Sequence, residues 1–261
     1  MTGQGTFEAL GLNGSALAGE LVIDAHMHIG TYYNFLVPRP ALADLVASAR
    51  RIGIRHMYGS SLQAIRGDLD GGNQAALAGE REHPGMFFAY LVASPNDPED
   101  IRGVIDLAES TRVRRFKIHD DGNDLPYDHP HYEPLYQYAD SVQAVVLAHT
   151  YGGKHVRPLQ KVAERYRKMS ILLGHAGIVE EEAYADAVRA CENILLETCS
   201  SLAWYGLIER LVNMAGPERV LFGTDMPFMS PDQQIGRVLF ARLSDDVKRR
   251  ILGLNAKRIL G

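Results

Sequence analysis

Short apolar runs alternate along this chain with longer stretches whose apolar positions recur at helical spacing. The first run predicts a strand over 21–26. After an aromatic loop, Leu42, Leu45, Val46 and Ala49 predict a helix over 40–52. A second strand is expected near 54–60, then a helix near 72–83 stopped by His83-Pro84-Gly85. Further strands are read over 86–93, 113–119, 142–149, 170–175, 193–198 and 219–223. Between them lie a helix opened by Ser94-Pro95-Asn96-Asp97-Pro98, one after the loop 120–130, and a basic one over 156–168. Another is entered by Glu180-Glu181-Glu182, where acidic residues suit the helix dipole, and another covers 204–215 and stops at Gly216-Pro217. Two or three helical segments close the chain.

Eight strand–helix units in 261 residues predict an α/β fold, a single closed (β/α)8 TIM barrel, whose usual size is ~250 residues. The alternative is an open doubly wound sheet. It is disfavoured because the first strand lacks the GxGxxG turn of a dinucleotide site. Residues 1–20, rich in Gly, Ala and Ser, are expected to form a tail or strap outside the core, with 21–261 as the barrel domain.

Composition narrows the function classes. With 46% apolar residues the chain can bury a full-sized core, and a net charge of -5 argues against nucleic acid as a partner. No apolar run approaches the ~20 residues that span a membrane, and no basic n-region with an apolar core marks a signal peptide. Cys191 and Cys199 form no CxxC and fit a reducing setting, so a cytoplasmic location is expected.

The chemistry gathers at strand ends. In Val22-Ile23-Asp24-Ala25-His26-Met27-His28-Ile29-Gly30, the two histidines stand one residue apart, so on a strand they share a face and can form two arms of a chelate. His149 and His175 also end predicted strands, and Asp225 ends the eighth. A parallel barrel brings those ends together on one face, where active sites lie. A three- or four-histidine set with one aspartate suits a divalent ion. Zinc is the default, with manganese and iron as alternatives.

These pieces resemble the amidohydrolase superfamily, in particular the compact branch called amidohydrolase family 2. The matching motifs are Ile23-Asp24-Ala25-His26-Met27-His28, Phe116-Lys117-Ile118-His119, Tyr132-Glu133-Pro134-Leu135-Tyr136, Val146-Leu147-Ala148-His149-Thr150, Leu173-Gly174-His175-Ala176-Gly177, Leu221-Phe222-Gly223-Thr224-Asp225-Met226-Pro227 and Asn255-Ala256-Lys257-Arg258-Ile259-Leu260. The branch contains lactonases, amide hydrolases, a hydratase and non-oxidative decarboxylases. The resemblance implies that His26, His28, His149 and Asp225 bind one metal, with His175 on its water. In two-metal members His175 would bind the second ion and a carboxylated Lys117 would bridge the pair. The other readings of Lys117 are an ammonium on the substrate and a lysine tethered to a carboxylate.

The resulting expectation is a metal-dependent hydrolase of a small lactone, amide or related carbonyl compound, using a metal-activated water, with Asp225, His175 and Lys117 as catalytic residues. One ion is favoured and two are allowed. Decarboxylation or hydration of a small acidic substrate is the runner-up; decarboxylase relatives tend to carry more insertions than this chain. A metal-containing barrel that only binds a ligand is the alternative from another class. The loops 30–38, 120–130, 151–156, 199–205 and 226–232 should line the pocket. The aromatics of 31–36 fit a substrate-covering loop, a packed loop or a homo-oligomer contact.

Other residues carry structural readings. His129-Pro130-His131 reads as a helix entrance, His119 as either a plain loop histidine or one that reaches the substrate, His56 as part of strand two, and His83 and His155 as surface or loop positions. Glu197 faces either the barrel interior or the helices. By parity Asp24 should lie one layer below His26, and Arg115 one below Lys117, so Asp24 is expected to pair with Arg115 or Lys117. Its alternative is to cap local backbone N–H groups or to orient a ligating histidine.

Overall fold

A computed structural model describes residues 6–121, 125–202 and 204–261. Residues 1–5 of the expected tail, 122–124 of the loop 120–130 and residue 203 lie outside the described residues.

The strands are β1 (Val22–Ile29), β2 (Ile54–Ser61), β3 (Phe87–Ala89), β4 (Leu91–Ala93), β5 (Arg115–Ile118), β6 (Val145–His149), β7 (Ser170–Gly174), β8 (Ile194–Glu197) and β9 (Val220–Leu221). Each pairs in parallel with the next along two runs, β1-β2-β3 and β4 to β9. The third strand of the sequence reading is therefore broken at Tyr90 into β3 and β4. The break is local, because Tyr90 N–H still reaches Gly59 of β2 at 2.8 Å and its hydroxyl crosses the barrel to the Ala25 carbonyl at 3.0 Å. On the other side the ring closes between β1 and the segment 222–226. Ala25 N–H donates to Phe222 at 2.9 Å, Asp225 N–H to His26 at 2.8 Å and His28 N–H to Met226 at 2.6 Å. The result is the (β/α)8 barrel.

Around it run α1 (Thr6–Leu12), α2 (Leu42–Ile52), α3 (Leu62–Ile65), α4 (Leu69–Glu82), α5 (Pro98–Thr111), α6 (Glu133–Ser141), α7 (Gly153–Arg165), α8 (Glu181–Ala190), α9 (Leu207–Ala215), α10 (Pro231–Leu239), α11 (Asp245–Arg249) and α12 (Asn255–Leu260). A π-helical turn, Arg250–Leu254, joins the last two. Within residues 1–20, α1 packs on α10 and α11 and carries the buried Phe7 into the outer core, under the Arg249 guanidinium at 5.3 Å. His129-Pro130-His131 does open a helix: His129 caps the His131 N–H at 3.2 Å and a 3-10 turn, Pro130–Tyr132, leads into α6.

Two apolar layers follow from the period-two alternation of the strands. Ile23, Ala25, Tyr58, Tyr90, Val145, Leu147, Leu172, Leu195 and Leu221 fill the barrel interior. Alternate residues, such as Val22, Met27, Phe116, Val146, Ile171, Leu173, Ile194, Leu196 and Val220, meet the helices. On β1 the alternation breaks. Ile23 and Ala25 belong to the inner layer, Met27 and Ile29 to the outer, and the pairing with β2 shifts register between Asp24 and Met27. This bulge adds one residue and turns His26 and His28 inward.

The bulge also corrects the expectation for Asp24, which no longer shares a face with His26. Its carboxylate accepts the His26 N–H at 3.1 Å, the Thr224 N–H at 3.0 Å and the Thr224 hydroxyl at 2.5 Å. It pairs with neither base and caps backbone N–H groups instead. Arg115 reaches the far end of the barrel and meets Glu80 at 3.1 Å and the Ala89 carbonyl at 3.0 Å.

Gly253, in the π-helical turn, lies against the Leu21 carbonyl oxygen just before β1, and a Cβ there would overlap it. Gly253→Ala is expected to destabilise the fold by ~1–3 kcal/mol, read as a lower urea midpoint with unchanged slope.

Candidate metal centre

The inward positions at the C-terminal ends of the strands form one polar layer above the apolar interior. His26 and His28 come from β1, Lys117 from β5, His149 from β6 and Glu197 from β8, with His175 and Asp225 just past β7 and β9. His26, His28, Lys117, His175, Glu197 and Asp225 are all buried. Two glycines in the layer make room for them. A Cβ on Gly174 would lie 3.0 Å from His26 Cε1, and one on Gly223 would lie 2.9 Å from His26 Cβ and overlap Glu197. His175 and Asp225 hold left-handed backbone, at φ 59° and 54°. Such conformations cost non-glycine residues about 1–3 kcal/mol and persist where the surroundings enforce them. For Asp225 the enforcing element is the Asp24–Thr224 clamp on the preceding residue.

Three ligand atoms converge. His28 Nε2 lies 3.2 Å and His26 Nε2 3.8 Å from Asp225 Oδ1. Metal–ligand bonds of ~2.1 Å at tetrahedral or octahedral angles place ligand atoms roughly 3–3.5 Å apart; the His28–Asp225 pair falls in that range and His26 Nε2 a few tenths of an ångström beyond it, so a divalent ion would draw His26 slightly inward. The outer nitrogens are held to match. His26 Nδ1 donates to Glu197 Oε2 at 2.9 Å, which leaves the Nε2 lone pair facing inward, and His28 Nδ1 bonds Ser60 Oγ at 2.9 Å. Burial, with Lys117 nearby, holds His26 well below the usual histidine range, and burial also lowers His28. Burial alone would raise Asp225, but the His28 hydrogen bond and the neighbouring His175 and Lys117 outweigh it and keep the carboxyl below its ordinary value. Neutral imidazoles beside an ionised carboxylate are the protonation states that ligation needs.

Glu197 resolves inward. Besides His26 it accepts the His175 N–H at 3.2 Å, the Cys199 N–H, and the Cys199 thiol at 2.9 Å. Burial pushes its carboxyl up to about 7, against the pull of the Cys199 donors. Cys199 also approaches His26 Nδ1 at 3.4 Å and His175 Nδ1 at 3.3 Å. Burial raises the thiol well above its usual range, so it braces the histidines as a neutral group. The sequence marks Cys199 only as an unpaired cysteine at the start of loop 199–205, with no part in bracing the histidines, and does not mark Ser60. Glu197 could have been placed inward by alternation with Leu195, which fills the interior.

Lys117 Nζ lies 3.1 Å from His26 Nε2, and burial pulls its amine down to about 8. His175 Nδ1 donates to the Cys199 carbonyl at 3.3 Å, and burial lowers the ring to about 4. His149 lies apart from the triad's ligand atoms. Its ring stacks on His119 at 4.1 Å and stands edge-on to His175 at 4.9 Å, and its donors group with those of His119 and Asp120. His155, expected at a surface or loop position, is instead buried in α7. It accepts the Tyr151 N–H on Nδ1 at 2.8 Å and donates from Nε2 to Asp120 Oδ2 at 2.9 Å.

A cavity of about 320 Å³ opens on this layer. His28, His119, His149, His175 and Asp225 form its polar side, with Tyr151 and Ser201 at the edge. Tyr32, Phe35, Phe228 and Met229, from loops 30–38 and 226–232, form its apolar side with Leu62 and Ile65 of α3, which the sequence reading did not include. Phe35 stacks on Phe228 at 4.4 Å, Phe228 lies 5.6 Å from the His28 ring, and the Tyr32 hydroxyl donates to Asp121.

The model of the family described as amidohydrolase matches residues 23–261. No curated protein matches the sequence. Among solved structures, 5-carboxyvanillate decarboxylase from Sphingomonas paucimobilis superposes with a TM-score of 0.71 at 16% identity, over 92% of this chain and 98% of its own. Dihydroxybenzoic acid decarboxylase from Polaromonas sp. JS666, with bound manganese and the inhibitor 2-nitroresorcinol, gives 0.74 at 15%, over 92% and 96%. A protein described as amidohydrolase II gives 0.75 at 16%, over 92% and 99%. At these identities the likeness concerns the fold.

Elemental analysis of gently purified protein is expected to find one divalent ion per chain, absent from the His26→Ala/His28→Ala double variant. Glu197→Gln, which keeps the shape but weakens the hold on the His26 tautomer, is expected to lower metal affinity by about 10–100-fold in chelator competition.

Proposed function

Because the chain belongs to the amidohydrolase family, we propose that it is a metal-dependent enzyme acting on a small, planar aromatic acid, and that the reaction is non-oxidative decarboxylation. The observation that carries this reading is the lining of the cavity: about 320 Å³ bounded by the aromatic Tyr32, Phe35 and Phe228 together with the polar His28, His175 and Asp225. Such walls suit an aromatic ring whose polar substituents turn toward the histidines. The decarboxylases with this fold that act on dihydroxybenzoate and carboxyvanillate agree with it.

His26, His28 and Asp225 would hold the metal, with His149 as the further ligand that the family resemblance offers; a carboxylated Lys117 belongs to its two-ion alternative. When bound, the ion supplies Lewis-acid polarisation of a substrate oxygen. The residues of the chain do the rest. The aromatic wall fixes the ring plane and excludes water from the slot. As the carboxyl group leaves as carbon dioxide, its bonding electron pair stays on the ring carbon, which takes up one proton. Asp225 and His175 face the cavity; one of them would first take up a proton, from the substrate's own acidic group or from water, and then hand it to the ring carbon. Manganese stands beside zinc as the ion to supply, given the manganese in the Polaromonas structure.

A second reading, hydrolysis of a lactone or amide, is favoured by one observation. Asp225 is held below the usual carboxylate range, which suits a group that accepts a proton from water. Protein stripped of metal and reloaded with manganese or zinc should be offered hydroxybenzoic acids and, separately, aryl lactones and amides. Decarboxylation is expected to appear as carbon dioxide with the matching phenol, lost on chelation and restored by the ion. Acid release from a lactone or amide, without carbon dioxide, would replace it with the hydrolytic reading. Asp225→Asn is expected to cut turnover by about 10²–10⁴-fold. If the wild type turns over nothing in either panel yet binds ligand, the site is a binding site only.

A further inference from the structure

The cavity has a floor and a mouth, and burial tells them apart. His28, Leu62, His175 and Asp225 line it and are buried. Phe35 and Tyr151 line it too, yet keep 49% and 38% of their surface open to water. Ser201, a further lining residue, is also exposed. A side chain that bounds a cavity and still meets solvent stands at its mouth. The candidate metal ligands His28 and Asp225 are at the floor, so a ligand held there by its acidic end turns its opposite end toward Phe35, Tyr151 and Ser201.

The mouth is apolar and its rings are held. Phe35 stacks on Phe228 at 4.4 Å, and Tyr151 packs against the His149 ring at 5.6 Å and 30°. Phe35 is followed by Leu36, 92% exposed, and Ser201 by Leu202, 44% exposed. Among the described lining residues there is no lysine or arginine, and the three at the mouth carry no charge. Such a surface gains from being covered by an apolar group and not by a charged one. The volume of about 320 Å³ lies within the ~300–1,000 Å³ of pockets that bury drug-sized ligands, which leaves room beyond a single ring.

We propose that the site takes aromatic acids bearing an alkyl chain of several carbons on the ring carbon opposite the carboxylate, and that this chain leaves the cavity against Phe35 and Tyr151. The inference rests on the aromatic-acid reading above and narrows its substrate class. With the carboxylate at the floor, the opposite ring carbon is the one farthest from the metal ligands and nearest the mouth. The ligand, and not a second copy of the chain, is the occupant of this exposed surface. Phe35 and Tyr151 continue the cavity wall outward, so a protein partner seated on them would seal the entrance.

The test is calorimetric titration of manganese-loaded full-length protein with 2,6-dihydroxybenzoate and its 4-methyl, 4-propyl and 4-pentyl derivatives. Affinity is expected to rise by about fourfold for each methylene buried, at one molecule per chain. Phe35→Ala and Tyr151→Ala, tested singly, are each expected to flatten that rise. Binding of the parent acid with no gain along the series would overturn the proposal and leave the aromatic-acid reading standing. A gain that both variants leave intact would also overturn it, since the chain would then lie elsewhere. Light scattering on the same samples covers the competing occupant: a dimer whose affinity ignores chain length assigns the exposed surface to a second copy. If no member of the series binds, the aromatic-acid reading falls and the proposal falls with it.

Discussion

One extra residue in β1 sets the whole site. Without the register shift between Asp24 and Met27, the alternation begun by Ile23 and Ala25 would send Met27 and Ile29 into the barrel and both histidines toward the helices. The shift exchanges them. It also frees Asp24 to cross the barrel seam and accept three hydrogen bonds from His26 and Thr224. That clamp carries the strained backbone of Asp225 and sets its carboxylate beside His28. Both halves of the candidate metal triad therefore depend on the same local irregularity, although they lie at opposite ends of the chain.

Around the triad the barrel works by subtraction as much as by addition. Gly174 and Gly223 occupy inward positions where a methyl group would strike His26 or Glu197. The room they leave is taken by the His26 ring and the buried Glu197 carboxylate, which bond each other at 2.9 Å. Glu197 is the hub, since it fixes the His26 tautomer and also meets His175 and Cys199. A buried carboxylate without these donors would be costly. With them it becomes a support that keeps the His26 Nε2 lone pair turned inward, as a metal ligand would need.

The cavity above has two different sides, and the difference carries the functional argument. Its apolar side comes from loops after β1 and β9 and from α3, its polar side from strand ends. The rigid barrel thus holds the polar groups, while the loops shape the cavity.

Much of the fold and of the reactive set was legible in the sequence. The strand–helix rhythm gave the barrel, because burial of both faces of each parallel strand imposes apolar runs that survive in one dimension. The strand-end positions of His26, His28, His149, His175 and Asp225 follow from that rhythm alone. What required tertiary structure was every relation that depends on register or on a partner far along the chain. The β1 bulge broke the parity that had joined Asp24 to Arg115 and Lys117. Glu197 gained its meaning only from His26, 171 positions away. Tyr90 broke a strand that hydropathy reads as continuous. His155 was buried by Asp120 of another loop. Periodicity records which face a residue shows, but a single inserted residue inverts it, and a hydrogen bond between distant strands leaves no trace in either local pattern.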